Sequence, residues 1–245
     1  MEIPPELQSM LDAEHGPTKQ KAARLVVDLA ASAGASEFTR CAHAHVSGVS
    51  VITGGHGLRR FLSDLSGDPE GTVSIPTTLN SAGCDREQIE EMGIDYENFL
   101  EYQFEIIHAY SELDIEATLS CTPYDRGIEM ESGIGSWAES NAVCYSNSYT
   151  SLMTNRESGL SALATALTGW APLWGLHLEK NRIPNILVKV EASMENLADW
   201  SVLGDWIGMQ IKPEWNLPWG MMPRIVGLPS NCLLYTSPSP RDRVL

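Results

Sequence analysis

A few side chains in this sequence are of types that do chemistry. Cys121 lies in a Cys-Thr-Pro-Tyr string, where proline fixes the turn that presents the thiol. A cysteine in that place serves as a metal ligand or as a small buried hydrophobe, and lone cysteines lack metal-site spacing. Glu139 and Ser140 are expected in the first turn of a helix, where free amides favour anions and a carboxylate can handle a proton or simply complement the helix dipole. At Gly48-Val49-Ser50, glycine permits close backbone approach and the serine hydroxyl both donates and accepts; an ordinary turn has the same composition. Asn80 carries an amide suited to a hydroxyl or phosphoryl oxygen, and Ser81 follows it. Arg156 offers a fork for a carboxylate or phosphate, or an ion pair with Glu157. His43 and His45 face one way if their segment is a strand, but nothing supplies further ligands, so they and His177 read as packed histidines. Cys84 and Cys144 are spaced too widely from Cys121 to form a recognisable site.

The elements that would position these groups alternate between strand and helix. Lys19–Ala33 places Ala22, Leu25, Val26, Leu29 and Ala30 on one helical face, with Thr18 as cap and Gly34 as stop. Cys41–Thr53 reads as strand, tight loop and strand, after which Gly54, Gly55 and Gly57 open a short helix through Leu65. Thr72–Leu79 reads as a strand, irregular in its far half because of Pro76, that ends in the loop Asn80–Gly83. Asp85 caps a helix, Tyr96–Leu113 forms a longer one with Phe99, Phe104, Ile107 and Tyr110 among its apolar positions, and Ala117–Cys121 forms a short strand. A glycine-rich loop, 127–135, leads to a helix near Ser136. A further helix spans Gly159–Leu167, stopped at Gly169, and Ile186–Val190 is a strand. The tryptophans from Trp170 to Trp219 are assigned to core or interface positions. This order predicts an α/β domain with a mainly parallel sheet flanked by helices, and ligands in such sheets sit beyond the carboxyl ends of the strands. The loops at Gly48, Asn80, Cys121 and Glu139 all fall there.

Composition narrows the partners. Across 245 residues, 16 basic and 32 acidic side chains give a net charge of −16, which repels a phosphate backbone and excludes nucleic acid as a partner. Hydrophobic residues make up 43%, a globular share, and no apolar run is long enough to span a membrane. Without a basic n-region or an apolar h-region at the start, the expected location is cytoplasmic. Five cysteines, an odd number at irregular spacing, suit reduced thiols or cluster ligands better than a disulfide framework. The last fourteen residues, Cys232–Leu245, show no period and two Ser-Pro pairs; they are expected to be a non-native tail of the sequencing-adapter read-through kind, leaving residues 1–231 as one unit.

Eight strings in order give a more specific reading: LDAEHG near the start, HVSGVS at 45–50, PTTLNSAG at 76–83, CTPY at 121–124, WAESNAV at 137–143, TNRE at 154–157, SALATALTG at 161–169 and GLHLEKNR at 175–182. Together they resemble the large subunit of the aconitase X family, which includes phosphomevalonate and cis-3-hydroxyproline dehydratases. The resemblance implies an aconitase-like fold and a 4Fe-4S cluster held by three cysteines, with one iron left open as a Lewis acid for a hydroxy acid. It implies that Cys121 is the first ligand and that the other two lie beyond residue 231. It assigns substrate contacts to Gly48, Val49, Ser50, Asn80 and Ser81, and active-site roles to Glu139 and Ser140. It also implies a small swivelling subunit, or a fused small domain, that covers the site. The implied reaction is dehydration of (R)-5-phosphomevalonate to an anhydromevalonate phosphate; cis-3-hydroxy-L-proline is the alternative, since position 81 departs from the proline usual in the phosphomevalonate branch. A fragment without the remaining ligands would act as a binding domain instead.

Overall fold

The computed structural model describes residues 1–85, 87–88, 91–94, 98–128, 132–150, 152–211 and 222–227. Residues 232–245, assigned above to a non-native tail, lie outside them, as do Trp215 and Trp219. In chain order the elements are α1 (Pro5–Leu11), α2 (Gly16–Ala33), β1 (Phe38–Arg40), β2 (His43–Val46), α3 (Val51–Ser66), β3 (Thr77–Leu79), α4 (Phe99–Glu112), β4 (Gly133–Trp137), α5 (Ser140–Tyr149), β5 (Leu152–Arg156), α6 (Gly159–Thr168), β6 (Trp170–Pro172), β7 (Ile186–Lys189), α7 (Leu197–Gln210) and β8 (Pro223–Val226).

The central sheet runs β3-β2-β4-β5, all parallel, as the alternating pattern predicts. β1 pairs antiparallel with β6, and β7 pairs parallel with β8. From β2 the chain steps one way to β3, and from β4 it steps the other way to β5. The crevice between β2 and β4 is therefore the switch point, where ligands of open α/β sheets collect.

β2 is buried along its length, and α6 packs on it with its other side against α2. All ten residues of α6 are short or apolar, GLSALATALT, and Ser161 to Thr168 are buried. Their size lets the helix lie close to both neighbours: a Cβ on Gly159 would stand 2.3 Å from the Ser47 carbonyl oxygen. Gly169 ends the helix at φ 73°, which glycine adopts without strain. Lys19, buried from α2, donates to the carbonyls of Thr72 and Leu167 and to the Ser74 hydroxyl, tying the helix layer to the approach of β3. The outer edge, β5, is closed by one side chain from α5: Asn147 accepts from the Thr154 amide at 3.2 Å and donates to the Thr154 carbonyl at 2.8 Å, as a neighbouring strand would.

Several expectations need correction. Helix α2 starts at Gly16; Thr18 sits inside its first turn, and its amide is capped instead by the Asp68 carboxylate at 2.9 Å. Val51–Thr53, β-branched and read as a strand, opens α3, because Ser50 accepts from the Ile52 amide and a parallel β2-β3 pair requires a crossover helix. The glycines 54, 55 and 57 lie within α3 rather than before it, and they mark a kink at Gly55 (φ 56°). Pro76 makes the near half of its segment irregular, and the strand is confined to 77–79. Ala117–Cys121 forms no strand: Leu119 has φ 47°, a left-handed conformation that breaks extension, and the segment bonds to the end of β3 through Thr118 and Ser120. Residues 133–137 form a central strand instead of leading to a helix at Ser136; Gly135 is needed there, since a Cβ would stand 2.7 Å from the Leu152 side chain. Asp85 accepts from the amides of Glu87 and Gln88, and the described residues there form turns. The start assigned to the 96–113 helix lies outside the described residues; the helix is assigned from Phe99, and Phe104 points outward at 47% exposure. Trp206 is likewise 49% exposed, while Trp137, given no role above, is fully buried.

Candidate active site

Three strands of the parallel sheet each deliver a loop of the site to the same end. β2 leads to Gly48–Ser50, β3 to Asn80–Gly83 and β4 to Glu139. Backbone bonds knit these loops at their roots: the Asn80 amide donates to Val46 O at 2.8 Å, and the Ala138 amide to His45 O at 3.0 Å.

The side chains then join across the strands. Asn80, 8% exposed, donates from Nδ2 to Glu139 Oε2 at 2.7 Å, while its Oδ1 accepts from the Ser81 amide at 2.8 Å. Glu139 is the residue before α5 rather than within its first turn, and its Oε1 accepts from the Ser140 amide at 3.0 Å. The Ser140 hydroxyl lies 3.4 Å from the same oxygen. On the other side of Asn80, Ser81 Oγ lies 3.2 Å from Cys121 Sγ. Asn141, unremarked in the sequence, donates to the Cys121 carbonyl at 3.2 Å and closes the ring of contacts back to α5. Cys121, Ser81, Asn80, Glu139 and Asn141 are thus one connected cluster.

Ser50, in the loop after β2, approaches the β3 loop of the cluster. Gly48 is exposed, with φ 84°, and Val49 turns its side chain into the core. Ser50 abuts the β3 loop closely: a Cβ on Gly83 would stand 2.1 Å from Ser50 Oγ and 2.7 Å from Ser50 Cβ. Gly83→Ala is therefore expected to push Ser50 off its cap and separate the two loops. Misplacement on that scale should raise KM about tenfold to a hundredfold, and overpacking should lower stability by about 1–3 kcal/mol. Steady-state kinetics and urea unfolding of the full-length protein check both figures.

The histidines take no part in this cluster. Trp137 Nε1 donates to His43 Nδ1 at 3.1 Å, and His45 Nδ1 pairs with Thr78 Oγ1 at 2.8 Å, both beneath the loops. Burial pushes His43 from 6.5 down to about 4, and burial with the neighbouring His43 pushes His45 to about 3. Because the folded state binds these protons less readily than the unfolded one, stability falls as pH drops below 6.5. The expected loss from His43 alone is about 3 kcal/mol by pH 4. Chemical unfolding at pH 7, 5.5 and 4.5 reads it, and His43→Gln, which keeps an acceptor for Trp137, should remove the share of His43 and leave that of His45. His177 is also buried, between the carbonyls of Pro172 and Gly135.

With this geometry in place, comparison with known proteins is decisive. Residues 1–180 match the family model described as the aconitase X first domain. The chain belongs to the aconitase X family. It is 39% identical over 206 residues to the phosphomevalonate dehydratase large subunit of Methanosarcina mazei, which covers 83% of this chain and 50% of that protein. It is 34% identical over 185 residues to the cis-3-hydroxy-L-proline dehydratase of Pseudomonas aeruginosa, covering 75% of this chain and 31% of that protein. The crystal structure of Thermococcus kodakaraensis aconitase X in its holo-form superposes with a TM-score of 0.77 at 34% identity, over 94% of this chain and 55% of that one. The chain therefore spans about half the length of the aconitase X large subunits it matches.

The aconitase X family implies an iron–sulfur cluster, and the cluster of side chains tests whether one fits. Cys121 stands half-buried at the edge of the site with the Ser81 hydroxyl at its sulfur, which suits one ligand. Among the described residues no three His, Cys, Asp or Glu side chains converge on a metal position. Cys41 lies apart from the site, donating to the carbonyls of His43 and Ile134, and burial pushes its thiol up to about 12. The described residues thus fit one corner of a cluster and not a whole one. No helix among them is long and apolar enough to cross a membrane.

Proposed function

We propose that residues 1–231 form the front part of the large subunit of a cytoplasmic dehydratase that removes water from a small hydroxy acid, with (R)-5-phosphomevalonate the favoured substrate. The observation that carries this reading is the junction of Asn80, Ser81, Cys121 and Glu139 at the switch point of a parallel sheet. The 39% identity to the phosphomevalonate dehydratase large subunit of Methanosarcina mazei, against 34% to the cis-3-hydroxy-L-proline dehydratase of Pseudomonas aeruginosa, favours the phosphorylated acid.

In this reading Cys121 is one ligand of a 4Fe-4S cluster whose remaining ligands come from outside the described residues. The cluster would supply a Lewis acid for the departing hydroxyl. The protein's own groups do the rest. Asn80 and Ser81 orient a substrate oxygen beside Cys121, and the Gly48–Ser50 loop offers backbone and hydroxyl contacts from β2. Glu139 carries the proton-handling carboxylate, with one oxygen fixed by Asn80 and the other by the start of α5. Each oxygen keeps a lone pair for a substrate proton. The large-subunit names of the relatives support a small partner subunit, or a fused small domain, that completes the site.

The test is incubation of the full-length protein, with its small partner, with (R)-5-phosphomevalonate and with cis-3-hydroxy-L-proline, followed by mass detection of water loss. Turnover of the first is expected. Turnover of the proline derivative alone would move the substrate assignment to the second branch, and turnover of neither would refute the dehydratase reading.

A further inference from the structure

Gln103 occupies a position that helix periodicity gives to an apolar residue. It lies one turn after Phe99 and one turn before Ile106 and Ile107, on the buried face of α4, at 1% exposure. A carboxamide there needs partners for both its ends. It finds them in the loop that follows β2: Nε2 donates to the Val49 carbonyl at 2.8 Å, and Oε1 accepts from the Val51 amide at 3.0 Å. One planar amide thus brackets Ser50 from both sides, as a neighbouring strand would.

The loop has need of such a splint. The Val51 amide is one of the free donors at the start of α3, and Ser50 already serves the next one, at Ile52. Helix α3 breaks its regular geometry at Gly55, so its first turn is not held through the rest of the helix. Beyond the break, α4 grips the same helix again, with Arg59 over the Tyr102 ring at 3.6 Å and paired to Glu105. Val49 is sealed in the core, which leaves Gly48 and Ser50 as the groups the loop presents.

We infer that Gln103 is a positioning residue for substrate binding: from α4 it fixes the Gly48–Ser50 loop in the form that meets the hydroxy acid. It touches the loop backbone, not the substrate. This inference rests on the dehydratase reading above.

Two variants of the full-length protein test it, Gln103→Leu and Gln103→Glu, each read by amide hydrogen exchange and by kinetics. Gln103→Leu is expected to speed exchange across residues 49–54 by tenfold or more while α2 and α6 stay protected, and to raise KM by a similar factor with kcat changed less than threefold. Gln103→Glu separates positioning from mere packing. When protonated, its carboxyl donates to Val49 and accepts from Val51; when ionised, it loses the donor. The ratio of its KM to the wild-type KM should therefore be smallest near pH 6 and rise toward pH 8, while the same ratio for Gln103→Leu stays constant, so that titration of the substrate's own phosphate cancels. Unchanged exchange at 49–54, or an unchanged KM despite loosened exchange, would overturn the inference. A wild-type protein that turns over no hydroxy acid would count against the dehydratase reading, and the exchange measurement would still decide whether Gln103 holds the loop.

Discussion

Replacing Cys121 with alanine in the full-length protein is expected to abolish dehydration while leaving the fold intact. The thiol packs at the edge of the site, half-buried, and its contact within the cluster is the Ser81 hydroxyl, so truncation removes little buried surface. The backbone of its turn is held independently, by Asn141 on the Cys121 carbonyl and by the Thr122 amide on Ser120. If Cys121 is a ligand of the proposed cluster, its loss would forfeit several kcal/mol of transition-state stabilisation. At 1.36 kcal/mol per decade that is about 10³-fold or more in kcat. Iron content and turnover should fall together, and with the cluster removed from both proteins the unfolding free energy of the variant should differ from that of the wild type by less than about 1 kcal/mol. Full turnover by the variant would remove Cys121 from the chemistry.

Glu139→Gln carries the second-largest effect. The carboxylate accepts at both oxygens, from the Ser140 amide and from Asn80 Nδ2. An amide can keep only one of these. With its oxygen toward Ser140, its NH2 group faces the NH2 group of Asn80. Asn80 cannot relieve this by turning over, because its Oδ1 is already committed to the Ser81 amide. The substitution therefore removes the carboxylate proposed to accept the proton and also disturbs Asn80. The expected loss in kcat is ~10²–10⁴-fold, the usual contribution of a positioned acid or base, with a smaller rise in KM from the displaced Asn80. Adding Asn80→Asp should restore the hydrogen bond, since an aspartate accepts both from the new amide at 139 and from the Ser81 amide, and should reverse the rise in KM while leaving the loss in kcat. A variant that lost affinity alone and kept kcat would make Glu139 an orienting group and leave the proton to another residue.

Much of this arrangement was legible because it depends on local signals. Gly34 and Gly169 stop their helices where the sequence places them, and both adopt the left-handed conformation that favours glycine. The α/β alternation translates into a parallel sheet, and the loops at Gly48, Asn80, Cys121 and Glu139 come together at one end of it. What was not legible depends on tertiary context. Val51, Ile52 and Thr53 have strand propensity, yet the crossover between parallel strands makes them helical. Gly133–Trp137 has too many glycines for a strand by propensity; as the central strand it needs Gly135 to admit Leu152. The strain at Leu119 leaves no mark in the residue's type. Asn141 reads as an ordinary helix-surface residue until Cys121 is brought beside it. Gln103 did leave a signal, a polar side chain among apolar positions of α4, whose meaning required the loop opposite.

The most direct test of the site is spectroscopic. The electron paramagnetic resonance signal of the reduced full-length protein should be measured with and without (R)-5-phosphomevalonate, in the wild type and in Cys121→Ala and Asn80→Ala. A signal that shifts on adding the acid is expected in the wild type, with a weakened shift in Asn80→Ala and loss of the signal in Cys121→Ala. A signal indifferent to the acid and undiminished in Cys121→Ala would contradict the assignment of these loops to one iron-centred site.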